Sequence, residues 1–454
     1  MSQHQRFHYR SERELLAERD RLGLEIPFQR DLSALGRPLS IGRGQAPNRI
    51  AIHPMEGCDG TAQGAPGELT LRRYRRFAAG GAGLIWFEAT AVVQEGRANP
   101  RQLYLTRDTL DDFKRMLEDT LATAQREQGI RPYTVLQLTH SGRYSNPGGG
   151  LGPVIAAPNP YLDTPRVRER GRIISDEELE RLEDAFAEAA YLAAEAGFDA
   201  VDIKACHRYL NNELLSAFTR PGRYGGSYEN RTRFMRNAVD KVLSRAGDRV
   251  DVATRFNAYD AIAYPYGWGV SRQDPHRPDL TEPKRLLREL SELGVVLADV
   301  SCGNPYYNPH IGRPYDRGPY VPPEHPLEGT ARMLSVMRQM AQAAPDMAVI
   351  GTGLTWLRQY GAPVAAACVE RGWFAMAGFG RQGFAYPDFP SDILHEGGMD
   401  PKKVCVGCTD CSCIMRDGGR AGCVIRDGAV YLPIYQAGRE GKPPFHTQRV
   451  DEHV

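Results

Sequence analysis

The chain alternates short, almost wholly apolar runs with longer stretches in which apolar residues recur every three or four positions. The short runs lie at 50–53, 83–87, 133–138, 200–203, 250–254, 295–300, 347–350 and 373–377. Brief runs without polar alternation are the pattern of strands covered on both faces. Among the longer stretches the clearest helix starts at Ser175, with Glu178 three residues on as a capping box. It carries Leu179, Leu182, Phe186, Ala189 and Ala193 on one stripe and stops at Gly197. Further helices are expected at 229–246, 281–293, 328–344 and 355–371. Eight strands alternating with helices predict an α/β chain folded as a (β/α)8 TIM barrel. An open doubly wound sheet is the competing arrangement. The barrel is favoured because polar motifs recur after many different strands instead of at one switch point.

The barrel is expected over 46–400. Residues 1–45 form an N-terminal extension, with a charged helix at 11–22 and a Gly/Pro-rich exit at 35–47. Residues 401–454 form a C-terminal cysteine-rich segment and a polar tail. The loops 143–160 and 302–326, rich in Gly, Pro, Asn and Tyr, are expected to build substrate walls or lids.

Composition narrows the function. Lys+Arg 57 against Asp+Glu 56 in 454 residues leaves no basic excess for nucleic acid or an anionic membrane surface. No apolar run is long enough to span a bilayer, and the first residues lack the apolar core of a signal peptide. A soluble cytoplasmic protein without nucleic-acid or membrane partners is therefore expected. Nine cysteines are an odd count, and five of them crowd between Cys405 and Cys423. That distribution points to a metal or cluster site in a reducing compartment, not to a disulfide framework.

The most chemically loaded stretch is Asp202-Ile-Lys204-Ala-Cys-His207-Arg-Tyr209, just past the expected fourth strand. Polar groups there are poor core material and good site material. A lysine, a histidine and a phenol at one mouth suit a site that polarises a carbonyl and delivers a proton beside it. Structural roles compete: Lys204 paired with Asp202 or Glu213, His207 as a core histidine, Tyr209 as a rim aromatic. Gly351-Thr-Gly353 and Gly378-Phe-Gly380-Arg381 are singly only turns; after strands seven and eight together they form a candidate phosphate grip. The run Cys405-Val-Gly-Cys408-Thr-Asp-Cys411-Ser-Cys413 with Cys423 downstream can wrap a [4Fe–4S] cluster or zinc, Cys411 or Cys413 serving as third ligand.

Six of these segments, in order over about residues 46–425, resemble the old yellow enzyme family of FMN-dependent oxidoreductases. They are Asn48-Arg-Ile-Ala-Ile-His-Pro54-Met55, Gly83-Leu-Ile-Trp-Phe-Glu88-Ala89, Gln137-Leu-Thr-His140-Ser-Gly142-Arg143, the Lys204/His207/Tyr209 stretch, Arg255, and Ala377-Gly378-Phe-Gly380-Arg381. The cysteine tail resembles the branch with an appended cluster, that of 2,4-dienoyl-CoA reductase and trimethylamine dehydrogenase. Larger members carry a second nucleotide-binding region after the cysteines; none is expected here.

The resemblance implies that Pro54, Met55 and Ala89 line FMN, and that Gln137 and Arg255 bond its pyrimidine edge. An ordinary strand-end amide (Gln137) and an ion pair (Arg255) are the competing roles. Gly351, Gly353, Gly378, Gly380 and Arg381 would hold the phosphate. Lys204 and His207 occupy positions where relatives place a His/His or His/Asn pair that binds the substrate oxygen, so Lys204 departs from the pattern. Which of the two is charged stays open. Tyr209 matches the proton donor. The spacing Cys405, Cys408, Cys411, Cys423 resembles that of [4Fe–4S] relatives, with zinc as the alternative. Glu56 receives no role, and 224–233 is expected to be architecture.

The expected activity is hydride transfer from flavin N5 to the β-carbon of an activated alkene, with electrons from NAD(P)H or through the cluster. One alternative is a dehydrogenase that oxidises an amine or another C–H substrate and passes electrons to a carrier protein. The other is a redox-inactive, zinc-stabilised barrel for a phosphorylated ligand. Oligomeric relatives imply a homo-oligomer.

Overall fold

Eight parallel strands close into a barrel in this computed structural model, which describes residues 3–442. The strands are β1 (Ile50–Ile52), β2 (Leu84–Ala91), β3 (Tyr133–Thr139), β4 (Ala200–Ile203), β5 (Asp251–Tyr259), β6 (Val295–Cys302), β7 (Ala348–Gly351) and β8 (Met376–Phe379). Each pairs in parallel with the next, and β8 closes on β1. Every position of β2, β3 and β4 is buried, which explains their unbroken apolar runs.

The main helix after each strand is, in order, α1 (Glu68–Ala79), α2 (Leu110–Gln128), α3 (Asp176–Ala196), α4 (Arg233–Ala246), α5 (Thr281–Leu293), α6 (Pro326–Ala343), α7 (Gly361–Glu370) and α8 (Phe389–His395), with shorter helices in several of the loops. The α3 capping box forms as its sequence dictates, and Gly197 ends the helix at φ 100°. Three of these helices, α1, α2 and α8, are not singled out by the apolar pattern; α1 carries Arg72, Arg75 and Arg76 beside a buried stripe that includes Arg73.

Element ends differ where side chains compete with the backbone pattern. The expected helix at 229–246 breaks at Thr232, whose hydroxyl donates to the Tyr228 carbonyl (2.8 Å). The expected helix at 355–371 is a 3-10 turn and then α7, with Arg358 at φ 53° and its guanidinium on Asp316 (2.7 Å). The last strand starts at Met376 instead of 373, because the Trp373 amide closes the end of α7 on Cys368 O (2.9 Å).

The barrel interior is filled by Ala51, Leu84, Trp86, Tyr133, Val135, Ala200, Ala253, Leu297, Ile350 and Met376. Ile41 and Ala46, from the hairpin Leu39–Ile41 and Gly44–Ala46, plug it from below. Asp251 secures this plug by accepting from the Arg43 amide (2.9 Å) and the Tyr133 hydroxyl (2.8 Å). The N-terminal extension packs on its own barrel: Tyr9, Leu15, Ile26, Ala34 and Leu35 belong to the main core. Its helix runs over Glu12–Arg21, capped by Ser11.

The cysteine segment crosses the barrel mouth with helices Asp410–Arg416 and Gly428–Arg439. Arg72 and Arg76 of α1 hold Asp427 (2.7 and 2.5 Å), the Ala421 amide donates to Gly57 O (2.7 Å), and Arg101 donates to Gly418 O (2.6 Å). The last part of the expected tail, 443–454, lies outside the described residues.

Candidate active site

The C-terminal ends of β1 to β8 open into a cavity of about 1130 Å³, counting the space open to solvent. Its wall takes residues from the ends of most strands: Pro54, Met55 and Glu56 after β1, Ala89 on β2, Gln137 on β3, Lys204, His207 and Tyr209 after β4, Arg255 on β5. Farther round stand Tyr306, Arg313, Thr352 and Arg381, and the cysteine segment closes the rim with Cys411, Ser412, Met415, Arg416 and Ala421. The sequence-derived residues Pro54, Met55, Ala89, Gln137, Lys204, His207, Tyr209, Arg255 and Arg381 thus face one space.

Two buried carboxylates aim the wall. Asp202 accepts from Gln137 (2.6 Å), from the Trp86 indole (3.0 Å) and from the Arg255 amide (2.7 Å). Burial pushes its pKa up to about 7, against the pull of those bonds. Asp299 lies 2.9 Å from Arg255 Nε and 3.0 Å from His53 Nδ1, while Arg255 Nη1 donates to Pro54 O (3.2 Å). Arg255 therefore has both roles that its sequence leaves open: it is ion-paired, and it stands on the cavity wall. Asp299 is invisible as a site residue in the sequence because it sits inside the apolar run of β6.

The Lys204–Tyr209 turn owes its shape to a residue between the named ones. His207 and Arg208 both have positive φ (62° and 59°), a rare pair for non-glycine residues. The buried Arg208 guanidinium holds it there by bonding Asp260 (2.7 Å) and Ser216 (2.5 Å), while Asn212 accepts from its amide (2.8 Å). Lys204 makes no ion pair with Asp202 or Glu213: the first is occupied as described, and the second binds Arg143 (2.6 Å). Its Nζ lies 3.8 Å from the centre of the Tyr209 ring. Burial lowers the Lys204 pKa, with partial compensation from Glu56. Burial, then Arg255 and Lys204, hold His207 well below the usual imidazole range, so it is neutral at pH 7. Tyr209 is driven far above the usual phenol range by burial and by Tyr306, and stays protonated.

Two further neighbours complete the group: Tyr306, which the sequence offers as a spare phenol able to replace Tyr209 or stack on a ligand, and Glu56, to which it gives no role. Tyr306, from the loop after β6, sits with its hydroxyl 3.1 Å from that of Tyr209 and stacks on Tyr144 (3.9 Å between centroids). Glu56 lies between Lys204, Tyr209 and Asn99, and burial raises its pKa. Its position right after Pro54-Met55, at a strand end, is the signal that marks it.

The glycines placed in the phosphate grip stand behind the wall instead of in it. A Cβ at Gly351, Gly353, Gly378 or Gly380 would strike Phe374, Met333, His53 or Met55 respectively, so these positions are glycine for close packing. Between and beside them, Thr352, Arg381 and Arg313 reach the cavity. Arg313 Nη1 is buried without a hydrogen-bond partner, an arrangement that an anion would complete.

Cys405, Cys408, Cys411 and Cys423 line one small cavity together with Arg381 and Phe384. Cys413 faces elsewhere, 3.5 Å from Asp417. The Arg426 amide donates to Cys423 Sγ (3.3 Å), and burial pushes the Cys405 thiol up to about 12. Among the described residues, no three His, Cys, Asp or Glu groups converge as a single-ion site requires. A closed zinc site would bring all four sulfurs within about 2.3 Å of one point. Cys411, Arg381 and Phe384 belong to both cavities.

A barrel whose mouth joins five cationic side chains, a protonated phenol and a neutral imidazole is an enzyme barrel suited to a flat anionic cofactor. Residues 34–268 match the model of the NADH:flavin oxidoreductase / NADH oxidase family, and the chain belongs to that family. It is 34% identical over 270 residues to an NADPH dehydrogenase of Geobacillus sp. (strain WCH70), covering 59% of this chain and 72% of that protein. It is 27% identical over 409 residues to an NADH oxidase of Thermoanaerobacter brockii, covering 88% of this chain and 56% of that one. Among solved structures it superposes on a 2-naphthoyl-CoA reductase–2-naphthoyl-CoA complex with a TM-score of 0.70 and 20% identity, over 90% of this chain and 58% of that chain. The chain thus spans little more than half the length of the last two. The second alignment extends over most of this chain, whereas the family model ends at 268.

FMN fits this wall on the structure's own terms. Gln137 and Arg255 are fixed donors on one side. Arg313, with its unpartnered nitrogen, stands with Thr352 and Arg381 for an anionic tail.

Proposed function

We propose that the protein is an FMN-dependent reductase of activated alkenes, drawing electrons from NAD(P)H. The observation that carries this reading is the clustering of a protonated, buried phenol with an ammonium and a neutral imidazole on the wall that also bears Gln137 and Arg255. Bound FMN would supply a hydride from N5 to the β-carbon of the alkene. The side chains do the rest. Lys204 and His207 donate to the oxygen of the electron-withdrawing group, drawing charge away from the β-carbon. Tyr209 gives its proton to the α-carbon. Asp202 and Asp299 keep Gln137 and Arg255 oriented toward the cofactor. Arg313, Thr352 and Arg381 would hold the phosphate.

The four cysteines around the small cavity would carry a [4Fe–4S] cluster. A cubane spreads its ligands around a body of several atoms, which agrees with thiols that share a cavity without meeting at one point. Cys411, on both cavities, favours one further reading of the same site: a dehydrogenase that sends single electrons from the flavin through the cluster to a carrier protein. Nine unpaired cysteines support a reducing compartment such as the cytoplasm, and homo-oligomerisation is proposed from the family alone.

Anaerobically purified protein should show flavin bands over a broad iron–sulfur shoulder, with about four irons per chain. NADH or NADPH should bleach the flavin, and an enone should restore it. Tyr209→Phe should slow that restoration roughly 10²- to 10⁴-fold while leaving bleaching unchanged. No bound flavin would defeat the proposal. Bleaching only by an amine substrate would favour the dehydrogenase.

A further inference from the structure

Tyr209 can give up its proton once; the next turnover needs another. The phenol is 2% exposed, and it lines the cavity that the proposed substrate would fill, so a bound substrate would stand between it and bulk water. Behind the same wall lies a second cavity, lined by Glu56, Cys58, Asn99, Arg101, Tyr144 and Tyr306 among others. Glu56 and Tyr306 line both cavities, and both interact with the Tyr209 hydroxyl. Tyr306 is held in place by its amide bond to Asn304 Oδ1 (2.9 Å) and by stacking on Tyr144, whose hydroxyl accepts from Asn304 (3.1 Å). Asn99 Nδ2 fixes Glu56 Oε1 at 3.3 Å.

We propose that Glu56 reloads Tyr209 with a proton taken from water in the second cavity, directly or through the Tyr306 hydroxyl. The inference rests on the alkene-reductase reading above. In the balance of the step, the Tyr209 O–H bond breaks as the α-carbon C–H bond forms, leaving a phenolate. The Glu56 carboxylic acid then loses its proton to that phenolate, and the resulting carboxylate regains one from solvent on the far side, the hydroxide or buffer base left behind passing to bulk; this is the one proton that each alkene reduction consumes. No electrons move in the reloading. In this step Glu56 acts through Tyr209, not on the substrate itself. The groups that tune it come from several elements: Lys204 and Tyr209 after β4, Tyr306 after β6, Glu88 on β2, and Cys58 and Asp59 on its own loop.

The test uses the holoenzyme with 2-cyclohexen-1-one. In Glu56→Gln the pre-reduced enzyme should complete its first turnover at a rate close to wild type, since Tyr209 starts protonated. Steady-state turnover should then fall about tenfold or more, with a flattened pH profile that Glu56→Asp partly restores. An unchanged steady state would overturn the proposal, and so would an equal loss in the first turnover. If the wild-type enzyme reduces no enone, the function proposed above fails and infrared spectroscopy decides the relay. The dithionite-reduced minus oxidised spectrum should carry a carboxylic-acid band that Glu56→Gln removes and Tyr209→Phe shifts. A band indifferent to Tyr209→Phe, or no such band, would overturn the coupling.

Discussion

Asp202 shows how one buried side chain links stability to the site. It is fully buried, and burial raises its folded pKa to about 7 from an ordinary value near 4. A carboxyl group raised in this way binds its proton more tightly in the native than in the unfolded chain. Stability therefore declines as pH rises from about 4 to about 7, and the contribution is flat outside that window. Asp202→Asn cannot titrate. The stability of wild type relative to Asp202→Asn should fall by on the order of 1 kcal/mol per pH unit within the window, as read from denaturant melts at several pH values. A constant difference would mean that Asp202 stays ionised against its three donors. The residue also shows where a sequence is mute. Its place in the apolar run of β4 is plain, but its bonds to Trp86, Gln137 and the Arg255 amide join three other strands.

At the scale of elements, the barrel is legible because fully buried strands leave a simple signature, and because capping boxes and αL glycines mark helix ends locally. The Lys204–Tyr209 turn is legible for the opposite reason, as polar residues where burial is expected. Arg208 and Asp299 are not, since each owes its position to a partner distant in sequence. The Gly351/Gly353 and Gly378/Gly380 pairs are a middle case. Their turns are local, but the direction in which the backbone faces is set by Phe374, Met333, His53 and Met55. In the cysteine segment, spacing alone leaves Cys411 and Cys413 interchangeable. The helix Asp410–Arg416 separates them, because positions two apart point to different sides. Cys411 joins the other three around the small cavity, while Cys413 faces Asp417. Cys411→Ser should accordingly lower the iron content of purified protein by half or more, whereas Cys413→Ser should leave it unchanged. Equal loss in the two variants would move the third ligand.

The whole molecule couples its two cavities through the cysteine segment. That segment supplies Cys411, Ser412, Met415, Arg416 and Ala421 to the wall of the large cavity, yet its own buried apolar cluster is only Ile414, Val424 and Tyr431. The segment is joined to the barrel by Val404, which packs in the main core, and by polar ties: Asp427 to Arg72 and Arg76, Gly418 O to Arg101, and the Cys405 amide to Gln382 (3.0 Å). A metal cluster bound by four of its cysteines would add its binding energy to the segment's folding. Removing that cluster should loosen the rim while leaving the barrel, with its separate core, intact. After anaerobic reduction and chelation of iron, FMN affinity should fall about tenfold, equivalent to roughly 1.4 kcal/mol, as followed by the recovery of flavin fluorescence. Far-UV circular dichroism should change little. Unaltered FMN affinity in the iron-free protein would show that the polar ties alone keep Cys411–Arg416 over the cavity, and the two centres would then be neighbours without a shared mechanical fate.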